Sequence, residues 1–216
     1  MIVLNDVEMR VLGSLVEKEI TTPEYYPLTL NSLTTACNQK SNRDPVVSYD
    51  ETRVAEAVDS LREKNLVITV RGRDSRVPKY DNYFAEKLDL KPVEVAVMCE
   101  LMLRGPQTVG ELRTRGERLY QFSGLDEVDE TLNGLMNRDE EPLVVKLPRQ
   151  PGQKECRYAH LLAGEQGVES AINASAEAVD CETSARIDLL EQEIQSLRAE
   201  LTELKAGFLE FRKQFE

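Results

Sequence analysis

The sequence predicts an α+β chain, mainly helical. A unit of three helices and a β-hairpin occurs twice, and a coiled-coil helix closes the C-terminal end. Three observations carry this reading. Two stretches run through the same order of helix caps, apolar periods of three to four, and a β pair around a glycine turn. Near the end, Ile187, Leu190, Ile194, Leu197, Leu201, Leu204, Phe208, Phe211 and Phe215 fall at alternating steps of three and four. Apolar residues make up 41% of the 216, enough for a core, yet there is no tryptophan, so Leu, Val, Ala and Tyr must fill it.

In the first unit, Asn5 followed by Glu8 has the pattern of a capping box, and Val7, Val11, Leu12 and Leu15 form one apolar face. That helix should stop before Pro23, because proline cannot continue it. Thr29 is placed to cap a short second helix with Leu30, Leu33 and Cys37 inward. Ser48 with Glu51 suggests a third start, with Val54, Val58 and Leu61 inward and Asn65 as the stop. Leu66–Val70 and Val77–Tyr80 then read as a hairpin around Gly72.

The second unit repeats the order. Pro92 opens a helix bearing Val93, Ala96, Val97 and Leu101, and Gly105-Pro106 ends it. Thr108 and Glu111 form a capping box for a short helix. Glu127–Met136 is the third, with Val128, Leu132 and Leu135 inward. Leu143–Leu147 and Arg157–Leu161 make the second β pair, turned at Gly152. Three helices and a two-stranded wing are the winged-helix arrangement. The expected division is therefore winged-helix domains over 1–88 and 89–163, a linker over 164–184 and a coiled coil over 185–216.

The final helix predicts assembly. Ile187 and Ile194 at the a positions with Leu190, Leu197 and Leu204 at d favour a parallel homodimer. In that register Glu193 faces Arg198 of the second copy, and Glu200 faces Lys205. Dimerisation is assigned to Ile187, Leu190, Ile194, Leu197, Leu201, Leu204, Phe208 and Phe211.

Charge is uneven along the chain. Residues 1–88 carry 12 basic and 14 acidic side chains, residues 89–163 carry 10 and 13, and residues 164–216 carry 5 and 12. The net charge of -12 thus falls largely on the tail and says little against nucleic-acid binding by the front. It disfavours adhesion to anionic membranes. No CxxC pair exists among Cys37, Cys99, Cys156 and Cys181, and Met1–Leu15 has no basic leader. A reducing, cytoplasmic setting is the expectation, with no membrane span.

Basic groups concentrate in two places. Lys40 and Arg43 flank a polar loop, and Arg71, Arg73, Arg76 and Lys79 crowd the first wing against Asp74 alone. These six are the candidate nucleic-acid contacts, because a basic hairpin can reach phosphates. Arg113, Arg115, Arg118, Arg149, Lys154 and Arg157 form a second, weaker set. Both third helices are poor base readers: the first is mixed in charge, and the second shows Asp126, Glu127, Asp129 and Glu130 against Arg138. Loop Asn38–Asp44 is better suited to caps and turns than to base edges, and Tyr25, Tyr26 and Tyr49 to packing. DNA contact and a protein-interaction adaptor or scaffold role therefore stand as competing functions.

Enzymatic chemistry is not expected. His160 is the only histidine, Cys156 lies too far along its strand to pair with it, and no phosphate-binding loop or dinucleotide fingerprint occurs. No catalytic, metal-binding or cofactor-binding residue is assigned.

The segment TTPEYYPLTLNSLTTACNQKSNRDPV, Thr21 to Val46, resembles the bacterial YceH family, also called UPF0502 or DUF480. So do LRGPQTVGELR, Leu103 to Arg113, and Arg157-Tyr-Ala-His160. The likeness runs from about residue 5 through 163 and into the heptads. It implies tandem winged helices, and no established reaction or ligand.

Overall fold

Helix α1 (Asp6–Thr21) is the centre of the structure, a computed structural model that describes residues 2–71, 77–139, 141–149 and 155–164. The Asn5 side chain accepts from the Val7 and Glu8 amides, and the Glu8 carboxylate accepts from the Asn5 amide at 2.8 Å, so the capping box is complete. One side of α1 meets α2 (Leu30–Cys37) and α3 (Glu51–Glu63), and another meets α5 (Pro92–Arg104). A helix packed this way must be apolar most of the way round, and Val11, Leu12, Leu15 and Val16 are all fully buried.

Thr29 caps α2 through the Ser32 amide, as expected. The α3 cap differs from expectation. Asp50, not Ser48, accepts from the Arg53 amide at 2.8 Å. Both residues suit an N-cap, and the one next to the first helical turn takes the role. Asn65 leaves α3 at φ 56°, a left-handed conformation that asparagine tolerates.

Strands β2 (Val67–Val70) and β3 (Lys79–Asn82) pair antiparallel with Val67 opposite Asn82 and Val70 opposite Lys79. A third strand, β1 (Leu28–Thr29), lies on the other side of β3 and gives the order β1-β3-β2. The sequence reading missed β1, since two residues hold no readable period. It also missed the short α4 (Phe84–Lys87), which plants fully buried Phe84 in the core.

The second half follows the same plan. Pro92 stands at the start of α5, and Gly105 ends it at φ 69°. Thr108 and Glu111 complete the box of α6 (Val109–Gly116). Helix α7 (Leu125–Met136) and the pair β4 (Val144–Lys146) and β5 (Tyr158–His160) follow. Gln107 bridges to Tyr158 just ahead of α6, in the place that β1 takes ahead of α2. Apolar side chains of both halves join in one cluster running from Leu4 to Leu162. The elements all lie within one compact unit of the chain, Met1–Ile172.

Residues 165–216 lie outside the described residues. With them go the eight residues assigned to dimerisation, Ile187 to Phe211, and the linker beyond Gly164.

Candidate nucleic-acid interface

The first wing is set by its register. Because Val70 pairs with Lys79, Arg71 and Lys79 stand at the open end of the strand pair, Arg71 exposed and Lys79 half-buried. Arg73 and Arg76 fall in 72–76, outside the described residues. Lys40 is exposed in the connection from α2 to α3.

Arg43 is a correction. It was expected at the surface, ready for phosphate, but its side chain is wholly buried. Its guanidinium donates to both Glu17 oxygens, at 2.9 and 2.5 Å, and to the carbonyls of Asn42 and Ala36, both at 2.9 Å. A basic residue in a polar loop gives no sequence sign of this. The partner Glu17 lies 26 positions earlier, on the helix. Asn38 and Asp44 in the same loop are structural too. The Asn38 side chain both donates to the Tyr49 carbonyl and accepts from its amide, at 2.8 Å each. The Asp44 amide reaches the Leu103 carbonyl on α5 at 3.0 Å.

Arg43 belongs to a larger buried network. Arg118, after α6, bonds Glu17 on α1 and Glu100 on α5, the latter at 2.6 Å. Burial pushes the Glu17 carboxyl up, but the Arg43 and Arg118 guanidinium groups outweigh it and hold it below the usual range. Glu100 goes the other way. Burial raises its pKa, and Arg118 does not fully offset that. One Glu100 oxygen, Oε2, has no hydrogen-bond partner.

The second basic set is also largely engaged. Arg115 and Arg157 both reach Glu111 at 3.2 Å, and Arg157 also donates to the Pro106 carbonyl at 2.8 Å. Arg113 is exposed, and Lys154 lies outside the described residues. On α3 the outward charged side chains are Glu51, Arg53, Glu56, Asp59, Arg62 and Glu63. Arg53 lies over the Tyr49 ring at 4.9 Å, and Arg62 pairs with Asp59 at 3.0 Å. Of the three tyrosines assigned to packing, Tyr26 and Tyr49 are packed on the core, whereas Tyr25 is 72% exposed.

Burial holds His160 at a pKa of about 4, with Nδ1 unpartnered. Cys37 and Cys99 are buried free thiols. Among the described residues no cluster of His, Cys, Asp and Glu is arranged to hold a metal ion. None of the described helices is long and apolar enough to cross a membrane.

Helices α1–α3 with a small sheet, echoed by α5–α7 with another, define a mostly helical α/β protein of winged-helix-like topology. Comparison with known proteins gives the family. Residues 4–153 match the family model described as "Protein of unknown function, DUF480". A UPF0502 protein of Geotalea uraniireducens is 55% identical over 217 aligned positions, covering 99% of this chain and 98% of its own length. Another from Geobacter sulfurreducens is 53% identical, covering 100% and 99%. One from Vibrio atlanticus is 49% identical, covering 94% and 96%. The chain belongs to the DUF480 (UPF0502) family.

Proposed function

We propose that this is a cytoplasmic, non-enzymatic protein of two winged-helix domains that contacts DNA weakly through its first wing and works as a homodimer through residues 185–216. The observation that carries the DNA reading is the β2–β3 register, which roots Arg71 and Lys79 on either side of residues 72–76, a stretch whose sequence includes Arg73 and Arg76. With Arg43 committed to Glu17, the footprint contracts to this wing and Lys40. The mixed charge on α3 supports phosphate contact over base reading.

The test is duplex binding by the full chain across several salt concentrations. Replacing Arg73 and Arg76 with alanine is expected to weaken binding to unrelated sequences alike. The log–log salt slope should fall by about two, roughly one per lost phosphate contact. If the wild type fails to bind duplex even at low salt, the DNA reading is wrong. Unchanged binding by the double variant would remove the wing from it.

The homodimer has its own test. Leu197→Asp with Leu204→Asp puts charge at two d positions of the heptad, which a two-stranded seam cannot bury cheaply. Sedimentation should show half the wild-type mass, with front-unit circular dichroism retained. A wild-type mass in the double variant would exclude this helix as the seam.

A further inference from the structure

The first sheet ends in a free edge. In the order β1-β3-β2, strand β2 is paired on one side only. The Tyr83 amide donates to the Leu66 carbonyl at 2.8 Å, so Leu66, Ile68 and Val70 turn their backbone groups toward β3, and Val67 and Thr69 turn theirs away. The Asn82 amide, opposite Val67, agrees with this, since it donates to the Tyr26 hydroxyl instead, at 2.8 Å. Among the described residues nothing bonds the outward backbone groups of Val67 and Thr69.

We infer that this edge pairs antiparallel with β2 of a second copy, joining the two first wings in one six-stranded sheet. The inference rests on the homodimer reading and adds a second contact to it.

The edge is complementary to itself. Val67 and Thr69 each offer one N–H and one C=O, and a twofold axis sets Val67 of one copy against Thr69 of the other. Ile68 then meets its own equivalent, at the kind of pair where antiparallel side chains come closest. It is free to do so, being 46% exposed on the solvent face of the sheet. No charged residue and no proline lies between Leu66 and Val70 to turn a second strand away. The edge strand of the second half differs. There β4 carries exposed Lys146, with Pro142 and Pro148 on either side, which are devices that keep edges apart.

Size selects the occupant. Four strand residues span about 14 Å and bury far less than the roughly 1,200 Å² that a stable interface needs. A free peptide would therefore gain little here. A second copy held through residues 185–216 meets the edge at an effective concentration on the order of millimolar. The twofold axis stands upright on the sheet, so both copies turn the same face outward. Arg71 falls about six strand positions from its equivalent, roughly 20 Å away. The DNA contact thus becomes one surface with two basic ends.

The test is disulfide capture in the full-length chain, with Cys156 and Cys181 replaced by serine so that only the buried Cys37 and Cys99 remain of the native thiols. Ile68→Cys puts a thiol at a cross-strand pair whose Cα atoms lie about 4.5 Å apart, within disulfide reach. A mild oxidant should convert most of this variant to a covalent dimer. Asp81→Cys, opposite Ile68 and one strand further from the axis, is the control and should give about tenfold less. Adding Thr69→Pro to Ile68→Cys removes an outward N–H and none of the bonds to β3, and should cut the yield about fivefold or more. A chain that sediments as a dimer yet cross-links no better at position 68 than at position 81 would overturn the pairing and leave the homodimer standing. So would a yield that the proline does not change. A monomeric chain would overturn both readings.

Discussion

Replacing Arg43 with alanine is expected to cost about 3 to 5 kcal/mol of folding stability, read as a lower urea midpoint at an unchanged slope. The guanidinium is wholly buried and holds the Glu17 carboxylate with two hydrogen bonds. Without it, Glu17 keeps Arg118 and a 3.9 Å contact with Lys18, and the carbonyls of Ala36 and Asn42 lose donors. Adding Glu17→Gln to Arg43→Ala should cost much less than the sum of the two changes, because each alone strands a buried partner. Additive losses would mean that the pair is not coupled. The effect should also reach the loop between α2 and α3, where protease cleavage near Asn42 would quicken.

The two carboxylates that share Arg118 should respond to pH with opposite signs. Glu17 has a depressed pKa in the folded state. Its contribution is present above the unfolded carboxyl pKa and lost as pH falls through the folded one. Glu100 has a raised pKa, so its contribution is present below the unfolded value and lost as pH rises through the folded one. At neutral pH the ionised form is therefore less well supported at Glu100 than at Glu17. Glu17→Gln should cost about 3 kcal/mol there, and Glu100→Gln about 1 kcal/mol or less. Equal costs would refute the assignment.

These contrasts mark where the sequence was readable. Local rules placed helices well: the caps at Asn5, Thr29 and Thr108, the start at Pro92 and the stops at Asn65 and Gly105 all follow from side-chain chemistry within a few residues. The hairpins were legible from their apolar pairs, with ends off by a residue or two. What failed was what depends on distant partners. Arg43 and Arg118 looked like surface cations because nothing near them in sequence reveals Glu17 or Glu100. Strand β1 and the Gln107 bridge exist only through pairing with β3 and β5. The candidate site was thus half readable. Its charges were visible in the sequence, but which of them remained free depended on tertiary contacts.

Gly13 lies at a close crossing of α1 and α5, and enlarging it should have the other large effect. A Cβ at Gly13 would lie 3.0 Å from Leu103 Cδ2, 3.1 Å from Leu103 Cγ and 3.3 Å from Met102 Cβ. The Cys99 thiol points at the Gly13 carbonyl from 3.5 Å, so backbone and side chains of α1 and α5 are already in contact here. Leu103 is fully buried and has little room to turn away. Gly13→Ala should be close to neutral, since the helix gains roughly 1 kcal/mol of propensity while the contact tightens. Gly13→Leu has no such balance. Three further carbons in a packed crossing force α1 and α5 apart, at a cost of about 3 kcal/mol. Gly134→Ala is the matched control, because its helix face is open, and it should stabilise by about 0.5 to 1 kcal/mol. The measurement is urea unfolding of the three variants, followed by hydrogen exchange at the Leu101–Leu103 amides of the leucine variant. Loss of protection there, with the α3 amides still slow to exchange, would locate the damage at the crossing. A Gly13→Leu protein as stable as the wild type would show that the two helices do not depend on this contact to stay together.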